Sequence, residues 1–267
     1  MNQLPSAMQH KLLTLALIPC LLNACGGGSN DDMSNPGDNR PSTDNQKTFE
    51  ASKVREISLN GAGTTEPFRL SASGATLVEH SAKTVRIDAR SLPAGFVSRS
   101  GTVTFPNYRN TSYPATVRSY QGFHSGIFIA HSDQSGVFAN FADYGTYTKA
   151  DQLPQSGKAT YRGVAFDRSD RGTLTYHVDF AARQGEGQID GLPRYDGTIT
   201  LRRAGFQTHG DGAIGIMGGM ANTRRDNTLR YQARFSGSGA EELVGAVYDS
   251  GITDFVGFHG TRGEISQ

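Results

Sequence analysis

The chain has 267 residues, 36% of them hydrophobic and 19% charged, with 33 Gly, 10 Pro and no Trp, a size that suits one or two ordinary domains. Its 26 Lys and Arg against 25 Asp and Glu leave no net field to hold a polyanion, so a general nucleic-acid binder is excluded, as are a coiled coil and a polytopic membrane protein. Glycine at 33 of 267, together with ten Tyr and fourteen Phe, is well above the usual ~7% for glycine and points to an all-β chain with many turns. The two cysteines, Cys20 and Cys25, both fall in the first thirty residues, so the body of the chain can hold neither an internal disulfide nor a cysteine metal site.

The N-terminus reads as an address. Lys11 precedes the apolar run Leu12 to Leu22, too short for a bilayer span of ~20 residues and of the length of a signal-peptide core. It runs into Leu22-Asn23-Ala24-Cys25-Gly26, which resembles the lipobox of bacterial lipoproteins. The resemblance implies cleavage after Ala24, diacylation of the Cys25 sulfur by palmitate-type chains, and acylation of the new amine. Cys20 follows Pro19 and lacks the small residue that such cleavage needs. Residues 1–24 are therefore expected to be a signal peptide. The membrane would be reached through the lipid alone, at ~0.8 kcal/mol per buried methylene. Residues 26–48 contain one Met as their only hydrophobic residue; with Cys25 they form an acylated, disordered tether, 25–48. Gly26 stands where an Asp would favour inner-membrane retention, so the outer membrane of a Gram-negative cell is expected.

From Phe49 onward the pattern is β. In an N-terminal domain, 49–150, strands are expected near 54–59, 67–71, 75–79, 83–89, 101–105, 115–120, 125–130 and 137–141, irregularly spaced, with Pro93, Pro106 and Pro114 at breaks. A boundary falls in the polar Asp151 to Gly157 stretch, which Pro and Gly punctuate. The C-terminal domain, 151–267, shows eight runs of period-two alternation, near 158–166, 173–181, 184–191, 198–206, 213–219, 229–237, 241–249 and 255–262. Leu174, Tyr176, Val178 and Phe180 share one face and Thr175, His177 and Asp179 the other, so each strand is expected to have one buried and one wet face. Eight short antiparallel strands suggest an up-and-down barrel. Its Leu, Tyr, Val and Phe would fill the interior, leaving the outer wall and the loops for binding. The fold class is thus all-β: an eight-stranded antiparallel barrel preceded by a second, less regular β domain.

Catalytic signatures are missing. Gly122-Phe123-His124-Ser125-Gly126 has its Ser one place late for a nucleophile elbow. Gly185-Glu186-Gly187 lacks the third glycine of a dinucleotide fingerprint and reads as a turn or bulge. His124 and His131 are an odd spacing apart, on opposite faces of a strand, which argues against a shared metal. His80, His124, His131, His209 and His259 read as surface or loop residues, with a single axial haem ligand among them left open. Arg202-Arg203 and Arg224-Arg225 read as solubilising charges or as the rim of an interface. No catalytic residue, metal or cofactor is expected, and the chain is not expected to be an enzyme.

Lys158-Ala159-Thr160-Tyr161-Arg162-Gly163-Val164-Ala165-Phe166, followed by Gly172-Thr173-Leu174-Thr175-Tyr176-His177-Val178-Asp179-Phe180-Ala181-Ala182-Arg183-Gln184-Gly185-Glu186-Gly187-Gln188-Ile189, resembles the C-terminal barrel of the factor H-binding protein family of bacterial surface lipoproteins. Ala240-Glu241-Glu242-Leu243-Val244-Gly245 is similar to an acidic strand which that family shares with the barrels of transferrin-binding lipoproteins. In the first half the likeness rests on Tyr120-Gln121-Gly122-Phe123-His124-Ser125. The resemblance implies a surface-exposed lipoprotein of two β domains, carried outward by a surface-lipoprotein translocator, that binds a host serum protein and serves virulence. The partner would be factor H or, as in relatives, an iron or haem carrier such as transferrin or haemoglobin. Of the residues that touch the partner in that family, one matches Glu242 here, while the segment Thr208 to Asn227 departs from the family pattern.

Overall fold

The computed structural model describes residues 55–58, 67–72, 75–81, 84–88, 92–133, 139–249 and 254–267. The expected signal peptide, Cys25 and the tether lie outside them.

Seventeen strands carry the fold: β1 (Arg55–Ser58), β2 (Phe68–Ala72), β3 (Ala75–His80), β4 (Thr84–Ile87), β5 (Gly95–Phe105), β6 (Thr111–Gln121), β7 (Ser125–Ser132), β8 (Ala139–Gly145), β9 (Lys158–Phe166), β10 (Arg171–Asp179), β11 (Gln184–Leu192), β12 (Gly197–Gly205), β13 (Gln207–Thr208), β14 (Ile214–Asn222), β15 (Arg230–Ser236), β16 (Glu242–Tyr248) and β17 (Phe255–Arg262). The N-terminal sheet has eight strands in the order β1-β4-β3-β2-β5-β6-β7-β8 and stays open. The C-terminal sheet runs β12-β11-β10-β9-β17-β16-β15-β14 and closes through a β12–β14 pairing at Thr200↔Asn222 and Leu201↔Ala221. Each expected run is a strand. Two are longer than the alternation suggests, because β5 and β6 extend as a hairpin paired from Gly95↔Gln121 to Phe105↔Thr111. Pro114 does not break β6 as expected: it lies just past Ala115↔Ser132, the last pair with β7, where its carbonyl accepts the Asp133 N–H at 3.1 Å and a missing N–H of its own is tolerated at the end of the ladder.

The barrel interior is filled. Tyr161, Tyr176, Tyr231, Phe180, Phe235 and Phe258 are all buried in its core with Leu, Ile or Val from β10, β11, β12, β14, β16 and β17 and Ala from β9 and β15. Rings this large fit because small residues face them: a Cβ at Gly187 would lie 2.7 Å from the Tyr176 ring. The Tyr176 and Tyr231 hydroxyls lie 3.1 Å apart and the latter donates to the Arg202 carbonyl at 2.8 Å, so the core satisfies its polar tips internally. Gly185-Glu186-Gly187 is a bulge site within β11, where the register to β12 shifts.

The expectation of one wet face per strand holds for β10, whose residues alternate between buried and exposed or half-exposed, and fails for β7, β16 and β17. In β16, Leu243 and Val247 point into the barrel while Glu242, Val244 and Ala246 point out, yet all are buried. The cause is the N-terminal sheet, which lies on the outer wall. Phe128 and Ala130 of β7 enter the sheet's own core with Leu70, Val103 and Val117, while Ile127 and Ile129 pack on Phe166, Val244, Ala246 and Phe255 of the barrel.

Candidate functional site

The join between the sheets is where most of the buried ionic groups collect. Ser125, Ile127, Ile129 and His131 of β7 share the face turned to the barrel. Just before them, Gly122 to Ser125 form a tight turn closed by the Gly122 N–H to the Ser125 carbonyl at 2.8 Å. Three successive N–H groups of that turn converge on one carboxylate. Phe123 donates to Glu242 Oε1 at 2.7 Å, and His124 and Ser125 donate to Oε2 at 3.1 and 2.8 Å. The Ser125 hydroxyl adds a bond at 2.8 Å and His259 Nε2 lies 3.0 Å from Oε2. This is an anion nest whose anion is a side chain of the other sheet. Gly122 permits the approach, since a Cβ there would sit 2.4 Å from His259 Nε2 and 2.8 Å from Glu242 Oε1. Burial acts to raise the Glu242 pKa; the His259 ring, the Ser125 hydroxyl and the His124 amide overcome it and hold the carboxyl down at about 2.

Ser, His and Glu together invite comparison with a hydrolase, and the geometry rejects it. Both the hydroxyl and the carboxylate meet the same nitrogen, His259 Nε2, at 3.2 and 3.0 Å. A catalytic triad needs the acid on the other ring nitrogen. Ser125 donates to Glu242, and the cluster is closed to substrate by the two sheets.

Two further contacts flank the nest. Arg118 of β6 donates to the Asp167 and Asp170 carbonyls at 2.5 and 2.8 Å, and its guanidinium lies 5.0 Å over the Phe96 ring. Burial lowers its pKa, opposed by Asp167 and Asp170. Beyond β7, His131 and Arg194 approach Asp254 at 3.3 and 2.5 Å.

Glu242, expected to meet a partner, is therefore on an outward strand position yet only 4% exposed, with both oxygens engaged by the N-terminal sheet. His80, His131, His209 and His259, read as surface or loop residues, are buried, and none joins a cluster able to hold a metal among the described residues. Arg202, Arg203, Arg224 and Arg225 are exposed as expected; Arg203 pairs with Glu186 at 2.8 Å and Arg225 with Asp196 at 3.2 Å. Sequence reasoning missed Arg118 and Asp254. The Gly122 to Ser125 turn was visible as a motif, but not as the seat of Glu242.

The class that the described residues define is structural: a filled antiparallel β-barrel with a second sheet fixed to its outer wall. Residues 151–247, which take in the barrel from β9 almost to the end of β16, match the family Factor H binding protein, C-terminal. Solved structures of similar fold include transferrin binding protein B from serogroup B Neisseria meningitidis, at 13% identity and a TM-score of 0.45 over 74% of this chain and 43% of that one. A transferrin binding protein B from Haemophilus parasuis gives 13% and 0.42 over 74% of this chain and 45% of that one. HpuA from Kingella denitrificans, solved in complex with human haemoglobin, gives 16% and 0.42 over 79% of this chain and 91% of that one. The chain thus spans less than half the length of the transferrin binding proteins it matches.

Proposed function

We propose that this chain is a lipid-anchored protein on the outer surface of a Gram-negative cell that captures a host serum protein, a complement regulator of the factor H type, for immune evasion. The observation that carries the reading is the family match over 151–247, almost the whole barrel. The lipobox at Cys25 and the tether that follows it fit the same picture. A flexible coil of that length reaches ~25 to 30 Å, enough to hold residues 49–267 clear of the lipid once a surface-lipoprotein translocator has delivered the chain. We divide those residues into an N-terminal unit, 49–150, and a barrel, 151–267. Glu242 then acts through the join it makes: it fixes the N-terminal sheet against the barrel, and the partner meets exposed wall and loops.

The test is a pull-down with residues 49–267 from serum supplemented with haemoglobin, followed by mass spectrometry. Factor H or a related regulator is the expected retained protein. Retention of haemoglobin or transferrin would replace the immune-evasion reading with iron acquisition, and an empty bead would remove the serum partner. For the anchor, Cys25→Ala is expected to abolish labelling by radioactive palmitate and to release the protein from the membrane fraction; unchanged partitioning would refute the lipobox.

A further inference from the structure

The barrel closes at a seam that is only partly sewn. β12 and β14 pair at Thr200↔Asn222 and Leu201↔Ala221, and the same hairpin resumes through β13 at Gln207↔Gly215 and Thr208↔Ile214. Both sets keep one register, so residues 202–206 stand opposite 216–220 without pairing. The lapse has a cause on each side. β12 bulges against β11 at Arg202 and Arg203, and β14 bulges against β15 between Ile216 and Gly219, with Gly218 at φ 64°. Bulges re-aim side chains and end pairing.

What they re-aim here is apolar and cationic. Met217 and Met220, 47% and 36% exposed, are the large hydrophobic side chains left in solvent among the described residues, and both belong to this seam. Continuing the register puts Arg202 opposite Met220, which pairs on its other side with Arg230, itself paired with Tyr248. Met220 thus sits in a row between two exposed arginines. Neither has an acidic partner among the described residues; Arg230 reaches only the Gly218 carbonyl, at 3.4 Å. Arg203 is neutralised by Glu186, so the uncompensated charge of the row is positive. Beside it lies a shallow depression of about 440 Å³ lined by His177, Glu186, Arg202 and Arg203. The seam lies opposite the β9–β17 pairing in the ring, away from the apolar wall that the N-terminal sheet covers at Phe166, Val244, Ala246 and Phe255, and is open to a large partner.

We propose that this interrupted seam is the docking surface for an extended segment of a partner protein in which an apolar side chain stands between carboxylates. The apolar group packs on Met217 and Met220, whose unbranched thioethers adapt to an irregular partner, and the carboxylates pair with Arg202 and Arg230 in bidentate fashion. The inference rests on the reading of the barrel as a protein-binding module and names where that binding occurs.

The chain from residue 26 contains Met33, Met217 and Met220, so methyl-labelled methionine gives three signals and Met33 serves as an internal control. The probe is a synthetic peptide with one Phe flanked by Glu in a Gly-Ser background, titrated while the methyl spectrum is followed. The Met217 and Met220 signals are expected to move and Met33 to stay. Affinity is expected to fall about tenfold in an Arg202→Ala/Arg230→Ala variant, whose exposed positions leave the fold intact, and again when salt is raised. Unmoved Met217 and Met220 signals, an equal response to the same peptide with Lys for Glu, or an undiminished affinity in the double variant would overturn the proposal. The serum experiment separates this from the wider reading. A serum protein retained equally by the parent chain and the double variant discards the seam and leaves host-protein binding. An empty bead, with the peptide still moving both methionines, discards the serum partner and leaves the seam.

Discussion

The two halves of the molecule solve the same problem in different ways. Each is an antiparallel sheet with eight main strands, and each turns a corner with the same device. Pro106–Tyr108 is a 3-10 turn followed by Arg109 at φ 55°, and Pro193–Tyr195 is one followed by Asp196 at φ 58°. In the C-terminal half the strand after that turn, β12, meets β14 and the sheet becomes a ring with one sealed core. In the N-terminal half the corresponding strand, β6, leads to β7 and β8 and the sheet ends there. A ring needs nothing outside itself to bury its apolar face. An open sheet with apolar residues on both faces does, and this one covers its second face with the barrel wall. The dependence is therefore unequal: without the N-terminal sheet the barrel uncovers Phe166, Val244, Ala246 and Phe255 of its outer wall but keeps its core complete, whereas β7 loses half of its burial without the barrel.

The largest break in that asymmetry is expected from Glu242→Ala. The substitution leaves the Phe123, His124 and Ser125 amides and the His259 ring buried with no acceptor, and removing one partner from such a cluster costs about 3 to 5 kcal/mol. Denaturant unfolding should separate into two steps, the first losing amide protection in β7 while Tyr161 and Tyr176 stay protected. A single transition at unchanged midpoint would show that the turn does not depend on the carboxylate.

Acid should produce a milder version of the same break. The folded pKa of Glu242, about 2, lies below its ordinary 4.5. The stabilisation is therefore complete above pH ~4.5 and is lost as the pH falls toward 2, amounting to about 3 kcal/mol across that window. Asp254 at the same join also has a lowered pKa, burial acting upward and being outweighed by His131 and Arg194, so its contribution is lost in the same direction. Hydrogen exchange between pH 5 and 2.5 should show β7 opening before β10. In Glu242→Gln the opening should lose most of its pH dependence.

Much of this was legible in the residues before the structure. Alternation in Leu174 to Phe180 located β10 and its inward face, and eight such runs implied the closed barrel. What alternation cannot report is a strand covered on both sides, because the outward residues are then apolar too. Leu243-Val244-Gly245-Ala246-Val247 and Gly126-Ile127-Phe128-Ile129-Ala130 are near-continuous apolar runs, the pattern of a strand buried on both faces. That pattern was the available signal for the join. Glu242 misled for a related reason. An acid at an outward strand position reads as solvated until one knows which other backbone supplies its donors, and Phe123 to Ser125 are 117 or more residues away in sequence. Arg118, in a strand rich in Ser, Thr and Tyr, gave no sign that its guanidinium faces carbonyls across the join.

Arg118 gives the third test of that join. Arg118→Ala is expected to cost about 2 to 3 kcal/mol, through the loss of two charge-assisted bonds to the Asp167 and Asp170 carbonyls, and to loosen the N-terminal sheet selectively. Arg118→Lys sharpens the point. Both bonds leave one nitrogen, Nη1, which an ammonium can imitate, but Lys has no planar group to lay over Phe96, so it should recover less than half of the loss in thermal melts. Full recovery would mean that the charge and its two bonds alone, and not the stacking on Phe96, hold the contact.

The smallest expected effect is placed in the sealed barrel, as the counterweight to these. The Tyr161 hydroxyl donates to the Ala240 carbonyl at 2.5 Å from inside the core, and burial drives its pKa well up, so it stays a donor at any pH the fold survives. Tyr161→Phe keeps the ring against Phe235 and removes one hydrogen bond, leaving a buried carbonyl short of a donor, which amounts to about 1 to 2 kcal/mol. Because the barrel core does not lean on the N-terminal sheet, this loss should lower the midpoint of the barrel's transition and leave the exchange rates of β7 relative to the barrel unchanged. Glu242→Ala should do the reverse. If Tyr161→Phe instead opened β7 as readily as it weakened β9, the two sheets would be one cooperative unit, and the unequal dependence of their two cores would be wrong.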